Sequence, residues 1–239
     1  IFLEKKKNIY SLNNFLETKF MTPNEAKKYD IKIAMDGVKR SCLEIMGQRK
    51  VNMAKIRQIF TDIPSFSESI EKQVVADAHY LPFPDSSFNI VIIQAVLEHV
   101  VEPQVVVAEI YRVLRASGIV YAETPFMQQV HEGAFDFTRF TVLGHRYLFR
   151  DFAIVDAGGN KGAETVLAWS IRYFTWALTR SRFISRLVGL GMHALLKPFA
   201  AILSRKALFD SSSGVFFLGR KSTTRVSHRE LTKLYDGLC

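Results

Sequence analysis

Polar side chains directly follow short apolar runs at places where a parallel sheet would present them to a ligand. Val74–Ala76 leads into Asp77, and Val91–Ile93 leads into Gln94. Ile119–Tyr121 forms a third run, and the residues before it have the spacing of an amphipathic helix. Open α/β sheets bind their ligands at the carboxyl ends of the strands. The pattern therefore predicts such a sheet, with ligand-binding side chains at its strand ends.

The elements that must position these side chains alternate between strands and helices. Residues 1–40 are predicted to form a charged, mostly helical lead-in. A helix is predicted from Pro103 to Leu114, ended by Ser117-Gly118, and another at Leu143–Phe149. Strands are predicted at Ser41–Ile45, Ile56–Phe60, Val74–Ala76, Phe88–Ile93, Ile119–Glu123, Phe152–Asp156 and Val215–Leu218. This alternation favours a mostly parallel sheet within a domain spanning 41–221.

A long helical insertion, 165–209, is predicted between the last two strands, and a polar tail, 222–239, follows them. Residues 160–206 contain eight basic side chains and one acid, and so contribute +7 to the net charge of +9. A basic and apolar helical segment is typical of a cap on a sheet or of a helix at an anionic surface. Composition favours the cap, and peripheral membrane contact through 165–209 stays open as an alternative.

The bulk composition favours a globular domain in a reducing compartment. The 239 residues are 48% apolar, which is enough to form a sizeable core. The two cysteines, Cys42 and Cys239, give neither a disulfide framework nor metal-ligand spacing. The first ten residues do not resemble a signal peptide, and charged residues, glycines and Pro198 interrupt the apolar stretch Phe183–Leu203. We therefore expect a cytoplasmic protein, with membrane association as the alternative, and no bound metal.

The block VVADAHYLPFPDSSFNIVIIQAVLEHV at residues 74–100 is followed by RVLRASG at 112–118. Together they resemble the class I S-adenosylmethionine-dependent methyltransferases, in particular the small-molecule, methyltransferase type 11-like branch. The resemblance implies a Rossmann-like, seven-stranded sheet flanked by helices, whose last strand is antiparallel between the fifth and sixth. It also implies S-adenosylmethionine as cofactor and methyl transfer as the reaction.

The resemblance places the nucleoside of the cofactor at two strand ends. Asp62, followed by Ile63, matches the position whose carboxylate accepts both ribose hydroxyls. Asp77 matches the position that accepts the adenine amine, with the backbone N–H of Ala78 facing a ring nitrogen. The alternative for both aspartates is structural, because an aspartate that ends a strand can also stabilise the following turn.

The methionine end of the cofactor is expected beside Gln94 and Ala95, and at the turn after the first predicted strand of the sheet. That turn would contribute Glu44 and Gly47. The family carries G-x-G at this turn because the backbone must approach the cofactor closely. Here Met46 and Gln48 flank Gly47, so the alternative function is a cofactor-deficient, methyltransferase-like binding or scaffold protein.

His131 is the candidate general base, because the resemblance places its loop beside the acceptor and imidazole titrates near neutral pH. Asp136 and Arg139 are expected to pair, fix this loop and cap the next helix. His99 is expected to pack beside the sheet. The acceptor class that the resemblance implies is a small molecule, a glycan or a lipid-linked molecule. Nucleic acid is disfavoured, because no RNA-binding module is present.

Overall fold

The computed structural model describes residues 29–36, 40–46, 70–131 and 133–238. The chain divides into two compact units. The first comprises Ile1–Val96 and Glu102–Tyr121, and the second comprises Leu97–Val101 and Ala122–Cys239. Both units combine strands with helices, which confirms the predicted α/β class.

The first unit contains a mixed sheet. Its strands are β1 (Tyr29–Asp36), β2 (Arg40–Met46), β3 (Ile70–Ala76), β4 (Phe88–Gln94) and β5 (Leu114–Pro125), of which the last four residues belong to the second unit. The order of these strands is β3-β1-β2-β4-β5. β2 and β4 are parallel, whereas β1 is antiparallel to both of its neighbours. The prediction of a mostly parallel sheet is therefore wrong for this part of the chain.

β1 also corrects the prediction of a helical lead-in over 1–40. Tyr29–Asp36 pairs along its length with β2 and with β3. Its sequence explains the difference, because Ile31, Ile33 and Met35 alternate with other residues at the period of two that suits a strand. Residues 1–28 and the predicted strand Ile56–Phe60 lie outside the described residues.

The predicted amphipathic helix forms as α1 (Pro103–Val113) and buries an apolar stripe: Pro103, Val106, Val107, Ile110 and Val113. The prediction that Ser117-Gly118 ends this helix is wrong, because both residues lie inside β5. Backbone N–H groups of Ser86 and Ser87 donate to the carbonyls of Arg112 and Val113. These bonds satisfy carbonyls at the helix end, so the chain can turn into β5 at Leu114.

The second unit contains an antiparallel pair, β6 (Phe152–Asn160) and β7 (Gly214–Lys221). Before β6 lies α2 (Val142–Leu148), which Thr141 caps by accepting the backbone N–H of Gly144. The fully buried Phe149 stacks on Phe217 with ring centroids 4.9 Å apart. These residues form an aromatic core between the helix end and the strand pair.

Helices occupy the predicted insertion between β6 and β7. They are α3 (Ala163–Thr179), α4 (Arg182–Leu196), a short 3-10 helix (Lys197–Ala201) and α5 (Arg205–Ser211). The predicted polar tail contains a short helix, α6 (His228–Thr232). Ser227 and Glu230 form a reciprocal capping box at its start, and Leu231 is buried. Within the described part of the chain, no helix has both the length and the apolar character needed to span a bilayer.

Candidate functional site

Asp77 lies directly after β3 and is nearly buried. Its Oδ1 accepts the backbone N–H of His79 at 2.9 Å and lies 2.7 Å from the Nδ1 atom of the same ring. Burial raises the pKa of Asp77, but the hydrogen bonds from His79 outweigh burial and lower it. The carboxylate is therefore ionised and stabilises its turn through Oδ1, as the structural alternative expects. None of the described residues donates a hydrogen bond to Oδ2, which could accept one from an outside donor such as an amine.

Arg112 of α1 forms hydrogen bonds to the loop at residues 81–85, which follows Asp77. Its guanidinium donates to the carbonyls of Leu81 and Phe83, at 2.9 Å and 2.8 Å, and to the carboxylate of Asp85 at 2.8 Å. Glu109 holds the guanidinium and also accepts the backbone N–H of Leu81 at 2.9 Å. The hydrogen bonds that Arg112 donates to Glu109 are the largest of the effects that raise the pKa of Arg112. The RVL block marks Arg112 in the sequence, but its spacing does not reveal that Arg112 binds this loop.

Gln94 ends β4 and Ala95 follows it, and both are half-buried. Ala95 has a backbone φ of 51°, in the left-handed region that a residue with a Cβ enters at a cost of about 1–2 kcal/mol. Such strained positions are concentrated at ligand sites. The strand therefore turns sharply at the point where the sequence predicts contact with the methionine end of the cofactor.

Of the predicted cofactor residues in the first part of the chain, only Glu44 lies among the described residues. Glu44 lies in β2, where its Cα is paired with Lys32 on one side and Ile92 on the other. Gly47, Asp62 and Ile63 lie outside the described residues, so their roles remain predictions.

The second unit brings together three side chains with acid–base chemistry. Glu98 and His99 lie on a short 3-10 helix, Leu97–His99, and both are buried. The Oε1 atom of Glu98 lies 3.7 Å from Nε2 of His99 and 4.0 Å from Nε2 of His131. The two imidazole rings are in edge-to-face contact, with centroids 4.9 Å apart. We call Glu98, His99 and His131 the histidine cluster.

Hydrogen bonds from His99 to Phe135 and from His131 to Asp136 orient the histidine cluster. The Nδ1 atom of His99 lies 2.7 Å from the carbonyl of Phe135, so Nδ1 must be the protonated nitrogen of a neutral ring. The Nδ1 atom of His131 lies 3.3 Å from Oδ2 of Asp136, which also accepts the backbone N–H of His131 at 3.0 Å. Both Nε2 atoms therefore face Glu98, where a proton or a cation would be attracted.

Asp136 and Arg139 form the expected pair through two hydrogen bonds. Arg139 also donates to the carbonyls of Gln128 and Gln129, which fixes the loop before His131. Burial raises the pKa of Asp136, but the hydrogen bonds from Arg139 and His131 outweigh it and bring the pKa to about 2. The expectation that this pair caps the next helix is wrong, because the hydroxyl of Thr141 makes that cap.

The histidine cluster offers two kinds of chemistry. A carboxylate and two imidazoles can accept and relay a proton. The same three groups have ligand atoms within 4.8 Å of one another, as a divalent metal site would require. Sequence reasoning did not connect them, because His131 is distant in the chain from Glu98. The only available signal was that each follows a predicted strand.

Comparison with known proteins supports one family. Residues 50–122 match the model described as a methyltransferase domain. Residues 1–85 match a second model, the C-terminal helical domain of the tRNA-modifying enzyme MnmG/GidA. The described residues of that second segment up to Ala76 are strands, so a helical domain does not fit them.

The ubiquinone/menaquinone biosynthesis C-methyltransferase UbiE of Neisseria meningitidis is 37% identical over 70 residues, 29% of this chain and 29% of the relative. The chain thus matches less than a third of the length of these curated relatives.

Two solved structures of methyltransferases show a partial likeness to this chain. Haemonchus contortus phosphoethanolamine N-methyltransferase 2 with S-adenosyl-L-methionine has a TM-score of 0.35 and 15% identity, over 62% of this chain and 36% of that one. A Methanosarcina mazei S-adenosylmethionine-dependent methyltransferase has a TM-score of 0.36 and 13% identity, over 62% of this chain and 66% of that one. The residue blocks at 74–118 and the domain match over residues 50–122 agree, which confirms the resemblance to the class I S-adenosylmethionine-dependent methyltransferases.

Proposed function

We propose that the protein transfers a methyl group from S-adenosylmethionine to a small-molecule, glycan or lipid-linked acceptor. The observation that carries this proposal is Asp77, an ionised carboxylate at a strand end within the segment that matches the methyltransferase domain. We also propose that the chain has the seven-stranded topology of the family, with a helical insertion before the last strand.

In this proposal the cofactor lies along the strand ends of the first unit. Oδ2 of Asp77 accepts the adenine amine, the backbone N–H of Ala78 faces the ring, and Asp62 accepts the ribose hydroxyls. Gln94 and the strained backbone of Ala95 adjoin the methionine end. Arg112 keeps the apolar loop at 81–83 in one conformation, so that the loop can form a wall beside the adenine.

The bound cofactor supplies an electrophilic methyl group on a sulfonium, and its transfer needs an acceptor lone pair aligned with the methyl–sulfur bond. When the acceptor is a hydroxyl or an amine, its proton must leave as the new bond forms. His131 accepts that proton at Nε2, and Glu98, 4.0 Å away, stabilises the imidazolium that results. The carboxylate of Asp136, 3.3 Å from Nδ1, stabilises the same positive charge from the other side of the ring.

Calorimetric titration of the full chain with S-adenosylmethionine and with S-adenosylhomocysteine tests the proposal. We expect both to bind, Asp77→Asn to weaken binding, and His131→Ala to leave it within a few-fold of the parent. Absence of binding at millimolar cofactor would refute the enzymatic function.

Met46 and Gln48 favour a second candidate, a methyltransferase-like binding or scaffold protein that has lost the cofactor. Side chains at the positions of the family's glycines would obstruct close backbone approach to the methionine carboxylate. The double substitution Met46→Gly with Gln48→Gly separates the two candidates. Cofactor binding that appears only in this variant supports the scaffold, and equal binding by the parent excludes it.

A further inference from the structure

The helical hairpin formed by α3 and α4 carries apolar side chains on its outer side. In α4, Phe183, Leu187, Leu190 and Ala194 recur at the helical spacing of one face. The first three are 71%, 54% and 69% exposed, and Ser185 is the only buried residue of the whole helix. This face of α4 is therefore exposed to solvent. We call these four residues the outer stripe.

Exposed apolar side chains also occur on α3, just before the turn of the hairpin. In the last turns of α3, Phe174 and Leu178 are four residues apart and are 68% and 73% exposed. Arg180 then adopts a left-handed conformation and ends α3, and Ser181 caps α4. The end of the hairpin near this turn thus presents large apolar side chains from both helices.

Packing between the two helices fixes which face of α4 points outward. Gly189 lies so close to Arg172 of α3 that a Cβ on the glycine would approach that side chain to 2.9 Å. The half-buried positions of α4, Val188, Gly189, Met192 and Leu196, lie on the same side as Ser185. The outer stripe is on the opposite side of the helix. Its exposure is therefore a consequence of how the hairpin packs, and not of a detached helix.

The apolar surface lies within a strongly basic segment. Arg180, Arg182 and Arg186 are exposed residues of the hairpin, and among the described residues none of them pairs with a carboxylate. The guanidinium of Arg182 lies 5.4 Å from the centre of the Trp176 ring. Glu164, at the far end of α3, is the only acid in residues 160–206. The surface therefore combines apolar side chains with uncompensated positive charge.

Apolar side chains together with positive charge favour one kind of binding partner for this surface. A second copy of the chain would bring two +7 segments together, which is electrostatically unfavourable. A nucleic acid would satisfy the arginines but not the aliphatic side chains of the outer stripe. An anionic membrane satisfies both, because its headgroups attract the arginines while its acyl chains receive the apolar residues. We propose that the α3–α4 hairpin docks the protein on an anionic lipid surface, with the outer stripe inserted among the lipids.

Contacts of α3 connect the hairpin to the histidine cluster. The hydroxyl of Tyr173 donates to the carbonyl of Val130 at 3.1 Å, and the side chain of Gln129 donates to Ser170 at 3.2 Å. These bonds join the helix to the loop that ends at His131. A docked hairpin would therefore hold this loop near the headgroups, where a lipid-linked acceptor is located. Docking itself does not depend on the proposed methyl transfer, so either can fail without the other.

Vesicle co-sedimentation of the full chain tests the docking. We expect binding to vesicles of phosphatidylcholine mixed with phosphatidylglycerol, and little binding to phosphatidylcholine alone. Added salt should weaken binding, because it screens the arginines. Equal binding to both kinds of vesicle, or none to either at low salt, overturns the proposal.

Two double variants separate the apolar contribution from the charge. Arg182→Gln with Arg186→Gln should weaken binding by roughly 25-fold, since each basic residue near an anionic surface contributes about fivefold. Leu187→Ser with Leu190→Ser should weaken binding by at least about tenfold, because two inserted side chains are lost. The matched control is Ile154→Ser with Val155→Ser, which removes two exposed apolar side chains from β6. Circular dichroism checks that each variant folds.

Three results would contradict the lipid surface. The first is loss of binding in the β6 control as large as that in the hairpin variants. The second is a dimer, seen by light scattering, that the Leu187→Ser/Leu190→Ser variant dissociates. The third is salt-sensitive RNA binding that the arginine variant abolishes while vesicle binding is unchanged.

Discussion

The Nε2 atom of His131 lies 4.0 Å from the Oε1 atom of Glu98, although one residue follows β4 and the other follows β5. The side chain of Glu98 is 1% exposed, so its carboxylate is largely removed from water. A buried carboxylate is costly unless a positive partner compensates it. In the proposed mechanism, this carboxylate stabilises the imidazolium that forms when His131 takes a proton from the acceptor.

His131→Ala should therefore lower kcat by about a hundredfold or more, because general acid–base catalysis typically contributes that much. Formation of S-adenosylhomocysteine with an acceptor that supports turnover measures the effect. Calorimetry should show that cofactor affinity is retained, since His131 contributes nothing to the proposed cofactor contacts. His193→Ala, which changes an exposed histidine of α4, is the control and should behave like the parent. A hundredfold loss of cofactor affinity in the His131 variant would contradict the assigned role.

A chelator distinguishes proton transfer from metal binding at the same three residues. If the histidine cluster transfers protons, overnight dialysis against EDTA should leave turnover unchanged. Turnover that falls and returns with one divalent ion would instead assign a metal site. In that case cobalt binding, followed by visible absorption, should require Glu98, His99 and His131.

Asp136→Asn should destabilise the protein at neutral pH and have little effect at low pH. The pKa of Asp136 is about 2 in the folded state, against about 3.9 when unfolded, so its stabilisation is complete above pH 4 and is lost as the pH falls towards 2. We expect the free energy of unfolding to fall by about 2–3 kcal/mol at pH 7, as measured by urea denaturation.

Asp151→Asn is the matched control for that prediction, because Asp151 pairs with Arg225 at an exposed site. Exposed ion pairs contribute at most about 1 kcal/mol. An equal effect of the two substitutions would show that the buried position of Asp136 is unimportant.

His145→Leu should reduce the loss of stability in mild acid. Burial lowers the pKa of His145 to about 3, from 6.5 in the unfolded chain, and no described residue offers its ring a hydrogen bond. Between these values the unfolded state binds a proton that the folded state does not, so stability falls as the pH falls below 6.5. The slope is about 1.4 kcal/mol per pH unit.

Urea denaturation at a series of pH values from neutral to 4 measures this slope. The His145→Leu variant should lack the contribution, whereas His193→Ala should keep it. An unchanged slope in the leucine variant would mean that His145 is accessible to protons in the folded state.

Arg112→Lys should loosen the loop at 81–85 even though the charge is kept. Lysine cannot reproduce the planar set of donors that binds Leu81, Phe83, Asp85 and Glu109 together. We expect a loss of about 2–3 kcal/mol in the free energy of unfolding, and faster hydrogen exchange at the Leu81 amide. Arg115→Lys, which alters a neighbouring arginine bonded to Ser86 and Asn89, should leave exchange at Leu81 unchanged.

The sequence by itself determined the features that depend on neighbouring residues. The apolar stripe of α1 and the strands that lead into Asp77 and Gln94 are properties of local periodicity, and they appear where predicted. The pairing of Asp136 with Arg139 is equally local, because the two residues are three positions apart. The methyltransferase resemblance rests on the same short-range blocks.

Tertiary structure alone decided the contacts between distant residues and the exposure of surfaces. Nothing in the spacing of Glu98 and His131 reveals that their side chains meet, and nothing near Arg112 reveals that it binds the loop at 81–85. The apolar residues of the outer stripe recur at helical spacing, but only the structure shows that Phe183, Leu187 and Leu190 are exposed. The physical reason is that periodicity shows which residues share a face, whereas burial depends on which other element packs against that face.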